Sequence, residues 1–350
     1  MLIEEFESLF SRLREAATEL SLKKHWPSQQ LDWLNEFGVF KCFIPSEFGG
    51  AELSPDAILE LYLELGQACM TTTFVLTQWN AACKRIQAST NEPLKRELLP
   101  KLASGSLFAT VGISHLTTSR QHISKPVLSA ETRDDGFVLN GISPWVTGAM
   151  YADIIVVGAI TEDGQQILVA LDRDSPGVEA HSGADLIALS SSCTDQIKLN
   201  QVFVPRERVV AGPASDVLKS KTGGGAGGLQ TSTLAIGLAW AAAKYLQQEA
   251  VRRPELELIA TKLCKDCEDL QRKLFDLANG KAEAISAADL RQHANSLVLR
   301  SSQAALSAAK GAGFMATHPA GRWAREAMFF LVWSCPQPVV TANMCELAQI

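Results

Sequence analysis

The spacing of apolar residues divides the chain into three parts. In the first part, apolar positions recur every three to four residues, as on one face of a helix. The earliest series comprises Ile3, Phe6, Leu9, Phe10, Leu13, Ala17 and Leu20. Segment 71–88 is apolar almost all round, which predicts a buried helix, and the helical pattern ends at Gly105. We therefore expect an N-terminal helical domain over residues 1–106.

From residue 107 the pattern changes to short apolar runs typical of strands. Segment 127–139 contains the turn sequence Asp134-Asp135-Gly136, and segment 154–171 contains a second acidic turn with glycine. Both read as hairpins. Because no long helical pattern interrupts these runs, we expect an antiparallel β-domain over residues 107–212 rather than a doubly wound sheet.

Helical spacing returns after residue 213 and predicts a C-terminal helical bundle over residues 213–350. The expected helices cover about residues 229–252, 255–279, 287–310 and 320–333, with a short final helix after Pro336. The glycine-rich run at 223–228 has the composition of a linker. A phosphate-binding loop is the alternative, but no strand precedes the run and no Gly-Lys-Ser/Thr ends it.

Composition narrows the classes of partner. The 350 residues are 47% apolar and carry a net charge of -6, without a basic block, which argues against nucleic acid. We find no apolar run of the roughly 18 residues that a membrane span needs. The acidic, amphipathic start differs from a secretory signal, and the eight cysteines lie mostly in apolar patterns. A cytoplasmic protein is therefore expected, and Cys264-x-x-Cys267, without further ligands nearby, predicts structural thiols rather than a metal site.

The run from Asn140 to Ala149 carries the candidate chemistry. It places Trp145 and Thr147 two residues apart, and such residues share one face of a regular strand. An indole beside a hydroxyl suits a flat heteroaromatic ligand with one hydrogen-bonded edge. The local pattern alone favours the alternative that Trp145 is core packing and Thr147 a good strand former.

Five stretches, in this order, resemble the acyl-CoA dehydrogenase family. They are Phe43-Ile44-Pro45-Ser46-Glu47-Phe48-Gly49-Gly50, the aromatic-x-Thr motif at 145–147, Val202-Phe203-Val204-Pro205, Lys310-Gly311-Ala312-Gly313-Phe314 and Arg322-Trp323-Ala324-Arg325-Glu326-Ala327. The resemblance covers nearly the whole chain. It implies an α+β multidomain fold with helical, β and helical-bundle domains, in agreement with the apolar periodicity.

The resemblance also implies FAD as cofactor, bound at the end of the central strand. In the family the aromatic residue packs on the isoalloxazine and the Thr hydroxyl bonds flavin N5, which assigns Trp145, Val146 and Thr147 to the cofactor. The loop after the first strand adds Ile113 and Ser114 at the pyrimidine edge and Ser119 near the diphosphate or the substrate. A solvated loop is the alternative for that segment. Ser143 departs from the family pattern, which has Lys at this position.

The position of the family's catalytic carboxylate is occupied by Ser334. Removal of the proton α to a thioester needs a base, and an unassisted serine hydroxyl is too weak. The backbone N–H of residue 334 can still polarise a thioester carbonyl, as the family's does. A second position used by some relatives maps near Gly228 and also lacks a carboxylate. The base is therefore unidentified, with Glu326 and Glu346 the nearest acids in sequence.

Three functional hypotheses follow from the resemblance. The leading one is FAD-dependent oxidoreduction of an acyl thioester, bound to coenzyme A or a carrier protein, with an unidentified electron acceptor or reductase. The second is a flavin-dependent monooxygenase, whose chemistry needs no base at 334. The third is a degenerate binding member, because the family's second-subunit flavin contacts are altered here. The fold shares its flavin site across subunits, so we expect a homodimer or homotetramer.

Overall fold

The computed structural model describes residues 2–117, 126–219, 229–281 and 283–350. Ser119, assigned to the cofactor loop from the sequence, lies outside the described residues, as does the glycine-rich run at 223–228. The order of helices, strands and helices predicted from the apolar periodicity is confirmed.

The N-terminal part is built from helices that bury most of their apolar side chains. They are α1 (Leu2–Glu5), α2 (Glu7–Lys23), α3 (Ser28–Glu36), α4 (Pro55–Ala68), α5 (Met70–Gln87) and α6 (Glu92–Ala103). Helix α4 begins where the Ser54 hydroxyl accepts a hydrogen bond from the Ala57 N–H, with Pro55 in the first turn. As predicted, α5 is buried almost throughout. Its threonines are tolerated because their hydroxyls donate to backbone carbonyls, such as Thr73 to Cys69 O at 2.8 Å.

The central part is one sheet. Its strands are β1 (Ala109–Gly112), β2 (Leu128–Arg133), β3 (Gly136–Thr147), β4 (Ile154–Thr161), β5 (Gln166–Asp172), β6 (Val178–Ala180), β7 (Thr194–Pro205) and β8 (Val209–Ala214), and a short helix, α7 (Ser114–Thr117), follows β1. They pair in the order β6-β7-β3-β2-β4-β5-β8, with β1 beside β4. Both expected hairpins form, as β2–β3 and β4–β5. The sheet differs from the purely antiparallel expectation because β1 and β2 both pair parallel with β4.

The C-terminal part packs long helices against the N-terminal ones. They are α8 (Gln230–Ala250), α9 (Glu257–Ala278), α10 (Ala287–Ala309), α11 (Pro319–Met328) and α12 (Gln337–Ala348). Gly237 lets α8 cross α4 closely, since a Cβ there would lie 2.6 Å from the Leu63 carbonyl oxygen. Within the described ranges, no helix has both the length and the apolar content that crossing a bilayer requires.

Two hydrophobic cores meet at strand β4. Ile154 and Val156 belong to the core shared with the helices, whereas Ile155 and Val157 belong to a second core on the other face of the sheet. Burial of both faces explains why the β4 sequence is continuously apolar rather than alternating. The sheet is thus held rigidly between the two cores, with the end of β3 close to β1 and β7.

Candidate functional site

Trp145 lies in a β-bulge near the end of β3. Ser143 pairs with Ile197 and Val146 with Asp195, so Pro144 and Trp145 together oppose a single residue of β7. Trp145 has a φ of 57°, a left-handed conformation that is costly for an aromatic residue. Its side chain is 63% exposed. The alternative that this tryptophan is core packing is therefore wrong.

The bulge also interrupts the alternation of side chains on β3. Ser143 and Val146 both approach Gly112 of β1, where a Cβ would lie 2.7 Å from Ser143 Oγ and 3.2 Å from Val146 Cγ2. Strict alternation would put residues 143 and 146 on opposite faces. Thr147 is consequently only 1% exposed, in contrast to Trp145. Val146 is fully buried too, and its backbone pairs with Asp195 of β7.

The Thr147 hydroxyl belongs to a series of buried, hydrogen-bonded hydroxyl groups. Its Oγ1 lies 2.9 Å from Thr194 Oγ1, which lies 2.8 Å from Ser192 Oγ. Thr110 Oγ1 donates to the Thr147 carbonyl at 2.7 Å. The three hydroxyls carry three hydrogens and the two links use two of them, so one of the three hydroxyls has a hydrogen left to donate elsewhere. The sequence analysis missed these partners, although Ser192-x-Thr194 at the start of β7 is a polar alternation that could have indicated them.

The segment after β1 is tied to the bulge. Ser114 Oγ donates to the Pro144 carbonyl at 2.7 Å, and Ile113 beside it is buried. This hydrogen bond places Ser114 beside the bulge that contains Trp145. His115, also buried, has Nε2 2.8 Å from the Gly158 carbonyl. Burial lowers the pKa of His115, which favours the neutral ring.

Ser334 is exposed on a turn between α11 and α12. Its φ is 46°, and the residue before it, Trp333, is fixed by aromatic contacts. The Trp333 ring stacks on Phe329 at 5.1 Å and meets Phe74 of α5 edge-on at 5.1 Å. The turn is therefore anchored to the helical core while residue 334 faces outward.

The acids nearest in sequence to Ser334 are already engaged. Glu326 is buried with its Oε1 3.3 Å from Arg322 Nη1. Burial raises the pKa of Glu326, and the guanidinium of Arg322 opposes that rise. Glu346, on α12, accepts a hydrogen bond from Ser296. Each carboxylate thus has a partner that stabilises its present position.

The described residues fit a flat cofactor in part. The exposed Trp145 offers an apolar ring face, and Ser114 holds the neighbouring loop against it. The Thr147 hydroxyl is covered and bonded to Thr194, so the structure does not present it to a ligand directly. Two open grooves of about 470 and 410 Å³ are lined by other residues, the first by Met150, Arg173 and His181 and the second by Ser129, Asn140 and Thr161.

Comparison with known proteins places these features in a family. Residues 1–106 match the family model described as acyl-CoA dehydrogenase, N-terminal domain. The "Probable acyl-CoA dehydrogenase YngJ" of Bacillus subtilis is 25% identical over 327 residues, which cover 86% of this chain and 84% of that protein. An isobutylamine N-hydroxylase of Streptomyces viridifaciens is 26% identical over 221 residues, covering 60% of this chain and 58% of that protein.

Solved structures share the fold over the full length. Butyryl-CoA dehydrogenase from Megasphaera elsdenii superimposes with a TM-score of 0.84 at 18% identity, covering 99% of this chain and 97% of that one. Dibenzothiophene monooxygenase (TdsC) from Paenibacillus sp. A11-2 gives a TM-score of 0.81 at 14% identity, with coverage of 99% and 97%. Its domain order, its matching N-terminal domain and its relatives along most of its length support membership of this chain in the acyl-CoA dehydrogenase family, whose fold it shares.

Proposed function

We propose that this protein is an FAD-dependent oxidoreductase that acts on an acyl thioester, bound to coenzyme A or to a carrier protein. The observation that carries the proposal is the exposed indole of Trp145, held in a left-handed bulge at the position of the family's flavin-stacking aromatic. Strained residues persist where the surrounding structure holds them, and they cluster at functional sites. Relatives named as acyl-CoA and glutaryl-CoA dehydrogenases support the thioester.

Several residues of this chain would have separate roles around the flavin ring. The flavin, when bound beside Trp145, would accept a hydride from the substrate. Trp145 would provide the apolar face, and Ser114 with the neighbouring residues Ile113 and Val146 would lie at its edge. The Thr147 hydroxyl would donate to a ring nitrogen only after its side chain becomes accessible and its hydrogen is turned away from Thr194. Ser119 is assigned to the diphosphate or the substrate by the resemblance alone.

Residue 334 would bind rather than deprotonate the substrate. Its backbone N–H can donate to a thioester carbonyl and so stabilise an enolate-like charge. Its side chain cannot replace the carboxylate, and the loss of a general base costs about 10²–10⁴ in rate. Glu326 is held by Arg322. An acyl thioester dehydrogenation here is therefore slow unless a base comes from another part of the protein or from the substrate.

A flavin-dependent monooxygenase is the second candidate, and the serine at position 334 favours it. Oxygen activation on a reduced flavin needs no base for an α-proton. The similarity to an N-hydroxylase and to a dibenzothiophene monooxygenase supports this candidate. The burial of the Thr147 hydroxyl favours a third possibility, a member of the family that binds without catalysis.

The visible spectrum of the purified protein, with and without added FAD, separates the three. We expect a yellow complex that an acyl-CoA bleaches without oxygen. Bleaching only by a supplied reductase, followed by oxygen-dependent hydroxylation, would establish the monooxygenase instead. A protein that takes up neither FAD nor FMN would support the third candidate, a family member that binds without catalysis.

Trp145→Ala should weaken flavin binding about tenfold, which corresponds to the loss of one aromatic stacking contact. Phe203→Ala, which removes another exposed aromatic in β7, should not.

Position 334 has its own test in flavin-loaded protein. Ser334→Glu should raise the rate of acyl-CoA dehydrogenation by about 10² or more, because it restores a carboxylate at the family's position. Ser334→Gln matches its shape without the charge and should leave the rate unchanged. Equal rates for the two variants would show that residue 334 does not face the substrate. Sedimentation of the same samples tests the proposed homodimer or homotetramer.

A further inference from the structure

Arg291 of α10 is a buried cation with unused hydrogen-bond donors. Its side chain is 4% exposed and its Nη2 donates to the carbonyls of Phe330 and Trp333, at 3.3 and 2.9 Å. Its Nε and Nη1 have no hydrogen-bond partner in the described part of the chain, which also shows no carboxylate paired with it. Burial lowers the pKa of Arg291 to about 10, so the guanidinium stays charged near neutral pH.

Asn295, one helical turn further on, directs a second polar group to the same place. It is fully buried, its Nδ2 lies 4.0 Å from Cys335 Sγ, and its Oδ1 finds no partner among the described residues. Cys335 also interacts electrostatically with the Arg291 guanidinium. Cys335 is a half-buried residue in the turn before α12. The Asn295 amide and the Arg291 guanidinium thus both lie on the Cys335 side of α10, and each has polar atoms without a hydrogen-bond partner among the described residues.

A thiol is a poor hydrogen-bond partner for the Arg291 guanidinium and the Asn295 amide. Sulfur is a weak acceptor, and a buried donor without a partner is unfavourable. An oxygen atom on the sulfur would be a strong acceptor within reach of the guanidinium and the amide. The oxidised form of the cysteine is therefore the better match for the arrangement around it.

We propose that Cys335 is a site of reversible oxidation, at which a peroxide converts the thiol to a sulfenic acid held by Arg291 and Asn295. In this step the sulfur attacks one oxygen of hydrogen peroxide, the O–O bond breaks and an S–O bond forms. The sulfur loses two electrons to the peroxide, and the thiol proton leaves with the second oxygen as water. A thiol reductant returns the cysteine to its starting state. The site does not depend on the proposed flavin chemistry.

The other cysteines provide internal controls. Cys42, Cys69, Cys83, Cys193 and Cys267 are buried, whereas Cys264 and Cys345 are half-buried like Cys335. Burial raises the pKa of Cys264, which disfavours its reactive thiolate. The charged groups beside Cys264 are Glu268 and Lys244 rather than a buried arginine.

The test is site-resolved labelling of the wild-type protein, which requires no variant to fold. The protein is exposed to hydrogen peroxide, sulfenic acid is trapped with dimedone, and each cysteine peptide is quantified by mass spectrometry. We expect Cys335 to be labelled about ten times faster than Cys264 and Cys345, and the label to be absent when dithiothreitol precedes trapping. Labelling of Cys335 no faster than that of Cys264 and Cys345 overturns the proposal.

A pair of variants tests the role of the arginine. Arg291→Lys keeps the charge but loses the planar set of donors, and should slow labelling of Cys335 several-fold. Arg300→Lys changes an exposed arginine on the same helix and should leave the rate unchanged. Circular dichroism confirms that both variants are folded. Equal rates in a folded Arg291→Lys protein would show that the guanidinium does not hold the oxidised sulfur.

Discussion

Arg322 and Glu326 form an ion pair inside helix α11, with 3.3 Å between Nη1 and Oε1 and both side chains less than 5% exposed. The pair spans one helical turn and fixes α11 beside the core. Arg12 and Glu36 are separated by the same 3.3 Å but are largely exposed. The two pairs therefore differ mainly in their contact with water.

Arg322→Gln should lower the free energy of unfolding by about 3 kcal/mol near neutral pH, because it leaves Glu326 buried without a counter-charge. Arg12→Gln should change it by about 0.5 kcal/mol or less, since exposed pairs are screened by solvent. Urea denaturation of the three proteins gives both values. If Arg322→Gln lowered the free energy of unfolding no more than Arg12→Gln, burial would not explain the difference between the two ion pairs.

The loss in free energy of unfolding caused by Arg322→Gln should depend on pH. The folded-state pKa of Glu326 is already raised by burial, and removal of the guanidinium raises it further. A carboxyl group whose pKa is raised in the folded state contributes its full stability below its ordinary pKa. This stability is lost as the pH rises through the folded-state pKa. Unfolding measured at about pH 5 and pH 8 should therefore show the larger deficit at pH 8. A deficit independent of pH would indicate lost packing rather than charge.

Lys310→Gly should stabilise the protein by about 1 kcal/mol. Lys310 ends α10 with φ 53° and ψ -144°, a region that only glycine occupies without strain. Lys265→Gly, at an exposed position inside α9, should instead cost about 1 kcal/mol because glycine is a poor helix former. Thermal unfolding of both variants distinguishes the two signs, and a loss of stability at position 310 would show that the lysine side chain has an unrecognised contact.

Gly148→Ala should be more destabilising than Gly164→Ala. Both glycines have left-handed φ angles, 61° and 79°, so the backbone cost of alanine is similar. A Cβ at 148 would lie 2.3 Å from the ring of Trp26, whereas one at 164 meets nothing within 4 Å. Trp26 cannot shift readily because its ring stacks on Tyr151 at 4.9 Å. We expect a difference of about 2 kcal/mol in the free energy of unfolding; equal losses would mean that the indole moves aside.

Thr194→Val should lower the free energy of unfolding by about 2 kcal/mol, because it removes the middle hydroxyl of a buried chain and leaves Thr147 and Ser192 without it. Thr194→Ser retains the hydroxyl and should recover most of the loss. Thr132→Val, at an exposed position of β2, should have little effect. A loss at 194 that serine does not reverse would point to the methyl group rather than the hydrogen bonds.

The sequence by itself determined the three-part architecture, the two hairpins and the family. These features depend on periodicity and short motifs within single segments, where the local backbone sets which residues share a face. The strands of β2–β3 and β4–β5 could be placed for this reason, whereas the assignment of Ile113, Ser114 and Trp145 to one site came from the family resemblance and stays a prediction.

Only the tertiary structure decided what those residues contact. Strict alternation failed at Pro144 and Trp145 because a bulge, set by pairing with β7, adds a residue to one strand. The Thr147–Thr194 contact and the approach of Arg291 to Cys335 join residues more than 40 positions apart. Such contacts depend on strand register and helix packing, which arise from the burial of two whole cores and leave no periodic signal in the chain.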